Sequence, residues 1–248
     1  MRLIFFTEDT LEQRKKWAEE FGSQRVLSGI NIIDNAFDGL YKGSLYAVCA
    51  ARGVGKSTFL LASAKKIAEQ GSKVLYLTVE QSYEQLMGYI PEIMPNFGLL
   101  EFNGEAKAWE SIKEVIKEHK IEYVFFDYIG ANLTNWDDLV REANMLAEVA
   151  KELGVIIFTA SQADDSLFEE FNNNPKSAKL NTGCFVSFSK HIMDKVAGGA
   201  YLVRPNDGTT YMYCFKNRYG ALNYTQMRVD GLDYSTKSWS SPWNYFHK

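Results

Sequence analysis

The stretch "CAARGVGKSTF", residues 49–59, sets Gly53, Gly55, Lys56, Ser57 and Thr58 close together. Glycines so placed let consecutive backbone N–H groups wrap an anion. The lysine adds a point charge, and the next hydroxyl can hold a divalent cation. The chemistry served is binding of a nucleotide's phosphates by Arg52, Gly53, Val54, Gly55, Lys56, Ser57 and Thr58. Ala50 occupies the position where such loops usually have a first glycine; at the end of an apolar strand the near-extended backbone tolerates a methyl. Three more polar residues follow apolar runs: Glu80 after "KVLYLTV", Asp127 after "YVFF" and Gln162 after "VIIFTAS". An open parallel sheet gathers its ligand at the carboxyl ends of its strands, so these three would converge on the glycine loop. There Asp127 and Ser57 would support Mg²⁺, Glu80 would polarise an attacking water as general base, and Gln162 would sense the γ-phosphate.

Farther along, "YCFKNRYG" places Lys216 and Arg218 two residues apart beside a turn, on one face. They read either as solvated surface charges or as cations that stabilise phosphoryl transfer in a neighbouring copy. The second reading makes hydrolysis depend on assembly.

Composition narrows the setting. The chain has 248 residues, 46% hydrophobic and 23% charged, and a net charge of −4. That is ordinary for a globular protein and argues against a basic nucleic-acid coat, while leaving room for positive charge lining one internal surface. Cys49, Cys184 and Cys214 lack metal-type spacing and read as free thiols of a reducing compartment, Cys49 as a small buried hydrophobe. "MRLIFFTEDT" is too short and too soon acidic for a signal peptide, and no apolar run approaches the roughly 20 residues of a membrane span. A cytoplasmic protein without membrane contact is expected.

The elements that must position these residues alternate regularly. "SLYAVCAA", "KVLYLTV", "EYVFFDY" and "VIIFTAS" are continuous apolar runs, the mark of strands covered on both faces. Between them lie the helical stretches "KSTFLLASAKKIAEQG", "SYEQLMGYI", "AKAWESIKEVIKEHK" and "DDLVREANMLAEVAKELG", with Gly71 and Gly154 as stops. The fold class is α/β, a mostly parallel sheet with helices on both faces. Before it, residues 1–25 form an arm or linker helix with Thr10 as cap and Gly22 as end, either a solvated surface helix or an arm that docks on a neighbour. Residues 26–248 form the main domain. "QADDSLFEEFNNNPKSAKLNTGCF" shows no periodicity and reads as a long loop. A helix near "SKHIMDKVAGG" follows, then strand "AYLVRP" and the hairpin "TTYMYCFKNRYGALNYTQMRV" with Gly220 at its turn. The aromatic tail "SWSSPWNYFHK" is either a strap on the core or a docking peptide.

The set of motifs resembles the RecA-like P-loop ATPase domain of DnaB-type replicative helicases over roughly residues 26–230. The resemblance runs from "SGINIIDNAFDGLYKGSLYAVCAARGVGKSTF" through "VLYLTVEQSYEQL", "FFDYIGANL" and "LAEVAKELGVIIFTASQ" to "YCFKNRYG". It implies Glu80 as catalytic glutamate, Asp127 as Mg²⁺-site aspartate and Gln162 as γ-phosphate sensor. It also implies Lys216 and Arg218 as residues reaching the ATP of the adjacent subunit. The function so implied is a Mg²⁺- and ATP-dependent helicase working as a homohexameric ring on single-stranded DNA, with primase or other replisome partners. Those helicases carry a separate domain before the core, and the compact form here points to a virus-encoded or accessory version, in the host cytoplasm if viral. Against DNA, "YIGANLTNWDD" holds no Lys or Arg. The segment 163–188 holds Asp164, Asp165, Glu169 and Glu170 against Lys176 and Lys179, the two candidate DNA contacts. A filament-forming recombination or repair ATPase and an ATP-switched assembly protein fit the same motifs.

Overall fold

A computed structural model of the chain describes residue 7 and residues 10–90, 93–102, 108–131, 136–174, 179–180, 182–186, 190–204, 210–220 and 227–229. Helix α1 (Leu11–Ser23) leads into a short antiparallel ribbon, β1 (Arg25–Val26) paired with β2 (Leu40–Tyr41), which brackets α2 (Asn31–Phe37). Then come β3 (Ser44–Ala50), α3 (Lys56–Glu69), β4 (Val74–Thr78), α4 (Tyr83–Met87), β5 (Phe97–Glu101) and α5 (Ala108–His119). The second half contains β6 (Tyr123–Asp127), α6 (Trp136–Leu153), β7 (Ile156–Gln162), α7 (Leu167–Asn173), α8 (Lys190–Lys195), β8 (Gly198–Val203), β9 (Thr210–Asn217) and β10 (Met227–Val229).

These strands form one sheet in the order β10-β9-β8-β3-β7-β6-β4-β5. From β8 to β5 all neighbours are parallel; β9 runs antiparallel to β8, and β10 to β9. The apolar strand runs have the expected cause, because successive side chains enter opposite cores. In β3, Tyr46, Val48 and Ala50 join the core under α2 and α3, while Leu45, Ala47 and Cys49 join the one under α5, α6 and α8. Phe158 of β7 stacks on Tyr46 at 5.3 Å and on Phe125 at 5.4 Å, tying the three central strands together on the α3 face. Among the described residues, no helix is long and apolar enough to cross a membrane.

Several expectations are revised. Segment 163–188 is not a plain loop, since α7 lies inside it. The Asp164 carboxylate accepts the Ser166 amide at 2.8 Å, and Leu167 and Phe171, one turn apart, are both buried. A half-exposed edge strand, β5, follows α4, and α2 lies within the lead-in to β3. Thr10 precedes α1, but its hydroxyl bonds Thr7 and caps nothing in the helix; Gly22 lies inside α1, which continues to Ser23. Gly71 and Gly154 do follow α3 and α6, both with positive φ. β10 pairs with the start of β9, Met227 opposite Met212, so the link between them is long and Gly220 is not a tight turn of two residues. The aromatic tail lies outside the described residues.

Candidate nucleotide-binding site

Ala50 is the last residue of β3, fully buried and in register with Gln162 of β7. It belongs to the sheet, and a glycine is not required there. The reversal comes later: Gly53 and Gly55 have φ of +74° and +109°, values that L side chains rarely adopt, and Lys56 opens α3. The positive end of the dipole of this fourteen-residue helix therefore faces the bend. Arg52, Gly53, Gly55, Lys56, Ser57 and Thr58 line a cavity of about 440 Å³ whose far wall is Glu80, Tyr128 and Gln162. Val54 departs from expectation: it packs on the core beneath the loop and is not among the lining residues.

Each wall residue is held by its element. Thr78, at the end of β4, accepts the Gln81 amide at 3.2 Å, and the Ser82–Gln85 capping box starts α4 just beyond, so Glu80 rides on a fixed turn. Asp127 ends β6 opposite Thr78. Its carboxylate accepts the Ser57 hydroxyl at 3.0 Å and the Tyr76 hydroxyl at 2.8 Å. Burial raises the Asp127 pKa, and the two hydroxyls and Lys56 oppose the rise. Lys56 donates to the Ala50 and Ala51 carbonyls at 3.2 and 3.3 Å. Burial lowers the pKa of its ammonium, while the charges of Asp127 and Glu80 act against that shift.

A hydroxyl and a buried carboxylate within hydrogen-bond distance form a hard oxygen pair of the kind Mg²⁺ takes. Mg²⁺ usually completes its octahedron with phosphate and water rather than with a full protein cage. Among the described residues, no cluster of three or more His, Cys, Asp or Glu able to hold a metal occurs. Ser57 and Asp127 thus fit Mg²⁺. Tyr76 and Tyr128 are the site residues that sequence reasoning missed. Tyr128 directly follows Asp127 and its ring centroid lies 5.9 Å from the Lys56 Nζ, a position available from adjacency to the strand end. Tyr76 required the β4–β6 register.

Lys216 and Arg218 do not join this cavity. The Arg218 amide bonds the Ala197 carbonyl, and the Ala197 amide bonds that of Leu45. Arg218 therefore stands beside the start of β3, while the phosphate loop follows its end about 17 Å away at the usual strand rise. Both cations turn to the last carbonyls of α8: Lys216 donates to Met193, and Arg218 to Asp194 at 2.8 Å. Burial lowers the Lys216 pKa and neighbouring Arg218 lowers it further. Arg218 lines a second cavity of about 780 Å³ at this opposite end, with Lys42, Lys151 and Lys195 and with Tyr41 and Tyr219. Of the two candidate DNA contacts, Lys179 is exposed and ion-paired with Glu170 at 3.7 Å, and Lys176 lies outside the described residues.

Residues 26–92 match the family model of the DnaB-like helicase C terminal domain. Curated relatives named DNA repair protein RadA match shorter stretches. That of Campylobacter jejuni is 47% identical over 58 residues, 21% of this chain and 13% of the relative. That of Aquifex aeolicus is 38% identical over 71 residues, 28% and 16% of the two chains. The chain thus spans less than a fifth of either relative's length. Among solved structures, a DnaB-like replicative helicase described with its interactions with primase superposes with a TM-score of 0.70 at 14% identity, covering 91% of this chain and 65% of that one. A KaiC-like protein from Pyrococcus horikoshii gives a TM-score of 0.65 at 17% identity, covering 90% and 98%. The chain shares its α/β fold with these solved structures, and the family match covers residues 26–92.

Proposed function

From that fold and that family match, we propose that this chain is a RecA-like ATPase of the DnaB type, a helicase or translocase that hydrolyses ATP at sites shared between copies of itself on single-stranded DNA. The observation that carries the shared-site reading is the position of Arg218 and Lys216, at the end of the sheet opposite the phosphate loop. A pair of cations so placed is turned away from its own nucleotide; to complete the site of a neighbour both would exchange the α8 carbonyls for it. In this reading Arg52 to Thr58 cradle the phosphates, Lys56 exchanges its loop carbonyls for the outer phosphates, and Glu80 accepts the proton of the attacking water. Gln162, in register with Ala50, reports the γ-phosphate to the segment carrying α7. Ser57 and Asp127 would hold Mg²⁺, which would supply charge neutralisation for the phosphates. The assembly is a homohexameric ring, and a primase-type protein is a partner by analogy with the replicative helicase that shares the fold.

The test is ATP turnover with and without single-stranded DNA. Stimulation is expected; no stimulation together with no DNA binding at low salt rejects the motor. Arg218→Ala should lower turnover on the order of 10³-fold, the scale of an arginine supplied in trans, and leave ATP binding nearly intact. Unchanged turnover refutes the shared site. The RadA matches favour a second reading, a repair ATPase working as a filament, which electron micrographs of open filaments with ATP and DNA would support.

A further inference from the structure

We propose that Glu142 is a positioning residue for the nucleotide site, its carboxylate holding the loop after β6 so that Tyr128 stands against Glu80 and Lys56. The proposal rests on the ATPase reading of that cavity. Glu142 lies on α6, outside the cavity lining. Its Oε2 accepts the Gly130 amide at 2.8 Å. Gly130 has φ +85°, and a Cβ there would lie 2.8 Å from the Leu139 Cδ1, one turn before Glu142 on the same helix. The loop is therefore laid close on α6; a Cβ there would have to displace the Leu139 methyl, and the positive φ favours glycine. One residue earlier, the Ile129 amide bonds the Ala160 carbonyl of β7 at 3.2 Å.

Two successive anchors thus fix the chain directly after Tyr128. Upstream, Asp127 is tied by Ser57 and Tyr76. Tyr128 is pinned between these fixed points. Its phenol meets the Glu80 carboxylate, which together with burial raises the Tyr128 pKa. A carboxylate on the inner side of an amphipathic helix is a costly choice unless its hydrogen bond matters, because desolvation penalises the charged form. Burial indeed holds Glu142 up at about 7, opposed by the Gly130 amide. An apolar residue would pack there without that penalty but would leave the Gly130 N–H without its acceptor.

The experiment compares Glu142→Ala with Glu142→Gln, whose amide oxygen can still accept the Gly130 N–H. Amide-resolved hydrogen exchange reads the clamp, and steady-state ATP hydrolysis with Mg²⁺ reads its consequence. Glu142→Ala should speed exchange at Gly130 and lower kcat about tenfold with KM for ATP within about twofold, the pattern of lost orientation. Glu142→Gln should restore both. Normal kcat in a folded Glu142→Ala chain with Gly130 unprotected overturns the positioning role, as does a raised KM at unchanged kcat. Unaltered exchange at Gly130 in Glu142→Ala overturns the clamp itself. A wild-type chain that binds no ATP rejects the ATPase reading instead, and the exchange result still decides the clamp.

Discussion

The residues at the nucleotide cavity divide by how their roles are encoded. Gly53, Gly55, Lys56 and Ser57 are contiguous, so their joint function is written in the order of the chain. Glu80, Asp127 and Gln162 are distant from one another but each ends an apolar run, which is enough to place them at one sheet edge. Tyr76 and Glu142 act only through strand register or loop path, and neither can be read from spacing, whereas Tyr128 was available from its adjacency to Asp127. Glu80→Gln keeps the volume of Glu80 and removes its basicity, so turnover should fall on the order of 10²–10⁴-fold with ATP binding retained. Equal turnover would move the base elsewhere. Glu142 also makes stability depend on pH. Its folded pKa, about 7, lies above the ordinary 4.5 of glutamate. Its contribution is fully present below pH 4.5 and is lost as pH rises through 7. Glu142→Gln does not ionise, so urea titrations should show the variant gaining on the wild type between pH 5 and pH 8, by on the order of 2 kcal/mol. A constant difference across that range would mean that Glu142 is not desolvated.

Among elements, the parallel strands were legible because both faces are covered, which leaves no polar interruption. β5 was not, since its half-exposed edge position breaks the apolar run. α7 was hidden in an acidic, asparagine-rich stretch whose helical signal reduces to Leu167 and Phe171. Both side chains are nonetheless buried in the core formed with β8 and β9, where Phe171 packs on Tyr211 at 5.7 Å. Phe171→Ala should therefore destabilise the protein by about 3 kcal/mol, read as a lower urea midpoint at constant slope. A loss below 1 kcal/mol would mark α7 as loosely docked.

For the whole molecule, a net charge of −4 gives no overall basic field, and Lys179, one of the two candidate DNA contacts, is engaged by Glu170. If single-stranded DNA is bound, its affinity should fall with salt at a per-chain slope shallower than about −2 on logarithmic axes, since each neutralised phosphate contributes about −0.7. A much steeper slope would reveal a basic track other than the two candidate lysines. The two ends of the sheet carry a different consequence. If Arg218 completes the site of a neighbour, as proposed, a chain that offers Arg218 at one end and its glycine loop at the other would join its copies head to tail, a contact that either closes or propagates. Any open string of n copies then contains n − 1 complete sites, and one terminal loop always lacks its arginine. A closed ring of n copies contains n. Activity per chain therefore counts loose ends, rising with length in a filament and reaching its ceiling only when the last copy meets the first.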